Sequence, residues 1–164
     1  MTHFPPQRLS GIHAATIVPM REDFSVDEEA LAAHIRTVAG TPGIRGLLVN
    51  GHAGENFVLD LAEKRRVIEI ARANTPADCL ICSGVNAESS LEAAREAAMA
   101  EQAGADILLV FPPNSWALSH DEACVFIHHA HVRDACGLPL LLYGAPVGAG
   151  SMAYPAGVLA RLAE

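Results

Sequence analysis

Gly51-His52-Ala53-Gly54 sets two glycines around a histidine and an alanine, inside the segment Asn50–Asn56. A turn framed in this way exposes successive backbone N–H groups, a nest suited to a carboxylate or a phosphate. It equally suits a tight strand-to-helix turn whose glycines only satisfy geometry. His52 adds a side chain that titrates near neutral pH, either as an acid/base or as a solvent-facing or packing group. Tyr143 closes the apolar run Leu138–Leu142 just before Gly144 and Pro146. There its hydroxyl would relay a proton at the mouth of a site, or pack and hydrogen-bond locally at a rim. A third loop, Phe111-Pro112-Pro113-Asn114-Ser115-Trp116, is stiffened by prolines and offers an aromatic as a substrate-facing wall or a covered edge.

Other chemistry-bearing residues read more simply. Cys79-Leu80-Ile81-Cys82 has the spacing of redox and zinc sites, but it lies in an expected strand, where residues three apart point to opposite faces. Buried free thiols are the expectation. His120, His128, His129 and His131 crowd one helix, and His128 and His131 are one turn apart. No carboxylate or cysteine completes a metal site there, so no metal is assigned, and the region reads as an outer helix. Gly144–Gly150 matches neither the dinucleotide fingerprint nor a phosphate loop, and no nucleophile elbow is evident. Lys64 is the single lysine of the chain; it reads as a solvated charge on an outer helix rather than a nucleophile.

The elements that must position these residues repeat. Apolar runs at Ile12–Val18, Ile44–Asn50, Cys79–Val85, Asp106–Phe111 and Leu138–Tyr143 suit strands buried on both faces of a parallel sheet. After each of the first four comes a capping-box pair: Ser25 with Glu28, Asp60 with Glu63, Ser89 with Glu92, Ser119 with Glu122. The spacing predicts helices over Asp27–Ala39, Asp60–Asn74, Ser89–Ala103 and Ser119–Ala135, with another beginning near Tyr154-Pro155. In Asp60–Asn74 the residues Leu61, Val67, Ile68 and Ala71 form the apolar face. The result is β-α repeated five times as one domain over 1–164. Such an order builds either a doubly wound sheet or the first part of an eight-fold barrel, which typically needs ~250 residues.

The composition bounds the function. With 164 residues, 51% hydrophobic and 18% charged, the chain can bury a core. A net charge of −8 disfavours nucleic acid and anionic membranes as partners. No apolar run approaches the ~20 residues of a membrane span, and Met1–Pro6 lacks the pattern of a secretory signal, so a cytoplasmic location is expected.

Taken together, the loops carry a resemblance. Val26-Asp27-Glu28-Glu29-Ala30-Leu31, Gly51-His52-Ala53-Gly54-Glu55 and Leu59-Asp60-Leu61-Ala62-Glu63-Lys64-Arg65 follow one another in order. Then come Gly84-Val85 with Ser89-Ser90, Ala103-Gly104-Ala105-Asp106, Phe111-Pro112-Pro113 and Leu138–Pro146. The series, from about Gly11 to the last residue, resembles the dihydrodipicolinate synthase/N-acetylneuraminate lyase family. The resemblance implies a (β/α)8 TIM barrel, incomplete here, of which this chain holds the first five βα units.

It also implies a class I aldolase-type lyase, in which a lysine forms a Schiff base with pyruvate or a related 2-oxo acid, without a cofactor. Tyr143 matches the proton-shuttling tyrosine. Gly51, His52, Ala53 and Gly54 match the Gly-Thr-Thr-Gly motif that binds the 2-oxo acid carboxylate, with His52 and Ala53 replacing both threonines. The backbone would still hold a carboxylate, and His52 would stand in for the lost hydroxyl relay. Asn114 and Ser115 replace an aromatic pair, Val147-Gly148-Ala149-Gly150 lacks a basic residue, and Val18-Pro19-Met20 replaces Thr-Pro-Phe. These departures point away from the lysine-biosynthetic substrate and toward another 2-oxo acid. The family's Schiff-base lysine belongs to a sixth strand, so this sequence is expected to be part of a longer enzyme, homo-oligomeric when full length. The competing expectation is a non-catalytic α/β binding module or a half-barrel pseudoenzyme.

Overall fold

The computed structural model describes residues 4–144 and 153–163. After a short 3₁₀ turn at Pro6–Leu9, strands β1 (Ile12–Ala15), β2 (Ile44–Val49), β3 (Leu80–Val85), β4 (Ile107–Val110) and β5 (Leu140–Leu142) alternate with helices. The helices are α1 (Glu28–Ala39), α2 (Leu61–Ala73), α3 (Ser90–Ala103), α4 (Glu122–Asp134) and α5 (Ala156–Leu162). All four strand pairings are parallel, and the sheet order is β1-β2-β3-β4-β5. A doubly wound sheet reverses direction at a switch point. This sheet never does, so the architecture is that of the first half of a (β/α)8 barrel.

Alternation along the strands separates two faces. Leu47 and Val49 of β2, Ile81 of β3, and Leu108 and Val110 of β4 meet Leu31, Ile35, Val67, Ile68, Ala93, Ala97 and Val132 from the helices in one buried core. Each large apolar side chain buried there contributes about 1.5–3 kcal/mol. On the opposite face His13, Leu48, Cys82, Leu109 and Leu141 line a concavity of about 260 Å³. Cys79 packs in the helix-side core and Cys82 on the concave side, both as buried free thiols. The CxxC spacing is thus split across the sheet, and burial pushes the Cys82 thiol up to about 12.

The helix starts differ in part from the capping pattern. Asp60 and Glu63 form the full reciprocal box on α2. On α1 the cap is Asp27, which accepts from the Ala30 N–H, while Ser25 turns back to Asp23. On α4 it is Asp121, which accepts from the Cys124 N–H, rather than Ser119. Ser89 precedes α3 but its side chain makes no cap bond. A carboxylate at the cap satisfies the same orphan N–H groups and also complements the helix dipole. Leu61, expected on the apolar face, is 42% exposed in the first turn of α2.

One expectation about charge and burial is overturned. Lys64 is 6% exposed, and its Nζ pairs with the Glu96 carboxylate between α2 and α3. The reason is positional: Lys64 lies at i relative to Val67, Ile68 and Ala71 at i+3, i+4 and i+7, squarely on the buried stripe. Glu96 shares the buried face of α3 with Ala93, Ala97 and Ala100, whose small side chains leave room for both long ones. α4 is an outer helix, as expected, and buries two of its histidines. His128 and His129 are 1% and 4% exposed, against Trp116 and Tyr154 respectively, whereas His131 is exposed and shares no site with His128.

Two measurements follow from this packing. Breaking a buried ion pair strands a charge at a cost of about 3–5 kcal/mol, whereas an apolar replacement of both partners is often neutral. Urea unfolding should therefore show a large loss for Glu96→Ala and recovery of most of it in the double variant Lys64→Met/Glu96→Leu. Separately, burial and the neighbouring His129 and His131 lower His128 from 6.5 to about 4, partly opposed by Glu88. The unfolded chain thus takes up a proton near pH 6.5 that the folded chain refuses until about pH 4. Stability is full above that window and falls as pH drops through it, by about 3 kcal/mol from this residue. His128→Gln should flatten the dependence of the urea midpoint between pH 7 and 4.5.

Candidate functional site

The carboxyl ends of β2, β3, β4 and β5 deliver four loops to one edge of the sheet, the edge that carries function in barrels of this type. The loop after β2 is built on Asn50, which is buried and sits in the left-handed region at φ +51°. Its Nδ2 donates to the Lys64 carbonyl (3.1 Å) and to Ser83 Oγ (3.2 Å), and its own carbonyl accepts from Asn56 Nδ2 at 3.0 Å. His52–Gly54 then form one 3₁₀ turn, closed by Gly54 N–H on the Gly51 carbonyl and by Glu55 N–H on the His52 carbonyl. The N–H groups of His52 and Ala53 stand at the amino end of that turn, outside its own hydrogen bonds.

The glycines act differently from the sequence expectation. Gly51 is extended, and the left-handed positions fall on Asn50 and Glu55 instead. The glycines serve close approach: a Cβ on Gly54 would meet the Thr16 carbonyl at 3.2 Å, and one on Gly51 would meet the Leu48 side chain at 3.2 Å. On β3, Gly84 is tighter still, since a Cβ there would lie 2.1 Å from the Asn50 carbonyl oxygen.

The His52 ring stacks on Phe111 at 4.1 Å between centroids and meets Phe57 at 4.8 Å. Tyr143, whose N–H extends the β4–β5 ladder by donating to the Val110 carbonyl, lies 5.8 Å from His52 and 4.7 Å from Phe111. The two residues proposed from the sequence for proton transfer are thus in one aromatic cluster, with Phe111 in contact with both. Burial lowers the His52 pKa below its ordinary value, so the imidazole is neutral at pH 7.

Three contributors were missed in the sequence. Phe111 is the aromatic at this site, while Trp116 instead packs in the cluster with Val125 and Val158 and is a covered edge. Asn86, the first residue after β3, places Nδ2 3.1 Å from His52 Nε2; its place at a strand's carboxyl end was the available signal. Glu88 spans two loops, accepting from the Asn114 and Ser115 N–H groups at 2.9 and 3.0 Å. Burial opposes its ionisation, but those hydrogen bonds together prevail and hold its pKa below the usual value. Among the described residues no three His, Cys, Asp or Glu side chains gather as a metal site, and no helix is long and apolar enough to cross a membrane. Ala145, Pro146 and the Val147–Gly150 stretch lie outside the described residues.

The chain is similar to several known proteins. A 4-hydroxy-tetrahydrodipicolinate synthase of Chlorobium phaeovibrioides is 31% identical over 142 residues, covering 85% of this chain and 46% of that protein. An N-acetylneuraminate lyase of Salmonella paratyphi B is 32% identical over 142 residues, covering 87% and 47%. The crystal structure of a dihydrodipicolinate synthase from Agrobacterium tumefaciens superposes with a TM-score of 0.85 at 30% identity, covering 96% of this chain and 52% of that one. The chain spans about half the length of the curated relatives it matches. The family model matches residues 8–164, and the chain belongs to the dihydrodipicolinate synthetase family.

Proposed function

We propose that this chain serves a lyase or synthase that acts on pyruvate or a related 2-oxo acid through a lysine Schiff base. The observation that carries the reading is the convergence of His52, Tyr143 and the Gly51–Gly54 turn at the carboxyl ends of β2 and β5. In it, the N–H groups of His52 and Ala53 cradle the carboxylate, with Gly51 and Gly54 allowing the close approach. Tyr143 shuttles protons as the amine of the lysine condenses with the keto carbon and water leaves. His52 acts as an auxiliary acid/base in place of a hydroxyl. The relatives named as a synthase and as a lyase support a carbon–carbon bond-making or bond-breaking reaction.

The lysine is not Lys64, which is buried and committed to Glu96; the nucleophile is a lysine outside these residues. The enzyme is read as cytoplasmic and homo-oligomeric, with no cofactor. The test is intact mass spectrometry of the full-length natural protein after treatment with pyruvate and borohydride. One reduced adduct per chain, mapped to a lysine other than Lys64, is the expected result. Absence of an adduct with pyruvate and with a panel of larger 2-oxo acids overturns the reading in favour of a non-catalytic α/β module.

A further inference from the structure

A single buried ion pair touches both loops that meet at His52. The Lys64 backbone carbonyl accepts from Asn50 Nδ2 at 3.1 Å, which fixes the start of the loop carrying His52. Its Nζ pairs with Glu96 Oε1, and Glu96 Oε2 accepts from the Asn86 N–H at 3.0 Å, which fixes the residue facing His52. Phe111 and Phe57 restrict the tilt of the imidazole. What remains free is the choice of which ring nitrogen carries the proton. An amide nitrogen donates and does not accept. With Asn86 Nδ2 3.1 Å from Nε2, that ring nitrogen is the acceptor, and a neutral ring then carries its proton on Nδ1.

We propose that Asn86 is a positioning residue for His52: its amide occupies Nε2 and holds the ring as the Nδ1-protonated tautomer. The Glu96 carboxylate holds Asn86 through its backbone N–H, and the Lys64 main-chain carbonyl holds Asn50. Resting on the 2-oxo acid reading above, this makes the neutral His52 ring a hydrogen-bond donor through Nδ1. It offers an N–H to the substrate, as the hydroxyl it replaces would, while its basic lone pair is engaged. Among the described residues Tyr143 is the titratable side chain in ring contact with His52.

The experiment uses the full-length protein labelled with ¹⁵N-histidine, in which His52→Gln identifies the His52 signals in long-range ¹H–¹⁵N correlation spectra. The expected result is an unprotonated Nε2 and a protonated Nδ1 at pH 7. Asn86→Asp is nearly isosteric but accepts instead of donating, so it should move the proton to Nε2 and raise the pKa of His52. The rate of borohydride-trapped adduct formation with pyruvate should fall roughly 10- to 100-fold in that variant, with the final extent unchanged. A wild-type ring protonated on Nε2, or a tautomer indifferent to Asn86→Asp, overturns the proposal even if the adduct forms. Lack of any adduct overturns the catalytic reading alone, because the tautomer is read without substrate.

Discussion

An ammonium group removed from water has to be matched, and the way Lys64 is matched governs much of this structure. Glu96 supplies the counter-charge from the next helix, so α2 and α3 lie together at a spacing set by two long side chains among alanines. The same two residues then reach outward: one through its carbonyl to the loop after β2, the other through its second oxygen to the loop after β3. A pair of this kind adds little net stability over an apolar contact. Its value lies in direction. The second oxygen of Glu96 specifies where Asn86 sits, which an alkyl contact would not.

Much of the frame was legible in the amino-acid order. The apolar runs located all five strands, and the alternation with helices limited the architecture to two choices. The strand order, which alone separates them, depends on long-range pairing and has no local trace; the family-like loop series pointed to the barrel. The strand expected over Ile12–Val18 ends at Ala15 because only Thr16 continues the bonding, donating to the Leu48 carbonyl, while Ile17 and Val18 stay apolar beyond it. Capping was legible by spacing but misassigned by residue where Asp27 and Asp121 sat beside the expected serines.

Lys64 shows where residue type misled. Its position on the apolar stripe of α2 was visible, yet its charge was given more weight than its phase. Glu96 carried the matching signal on α3. The site itself was partly readable: Tyr143 and His52 were chosen separately from loop position and family pattern, and the structure sets them in one cluster. Asn86 and Phe111 were harder, since each matters through contact with a ring that arrives from another strand. Such cross-strand meetings depend on register, here the parallel pairings of β2 with β3 and of β3 with β4.

Gly84 brings out what kind of frame this is. Where β3 ends, the chain passes so near the Asn50 carbonyl that not even a methyl group fits between them. The separation between these two loops is therefore fixed by main chain against main chain. Side chains mounted on such a chassis are interchangeable parts. A side chain at the loop tip, such as His52, is therefore mounted on a separation that it does not itself set.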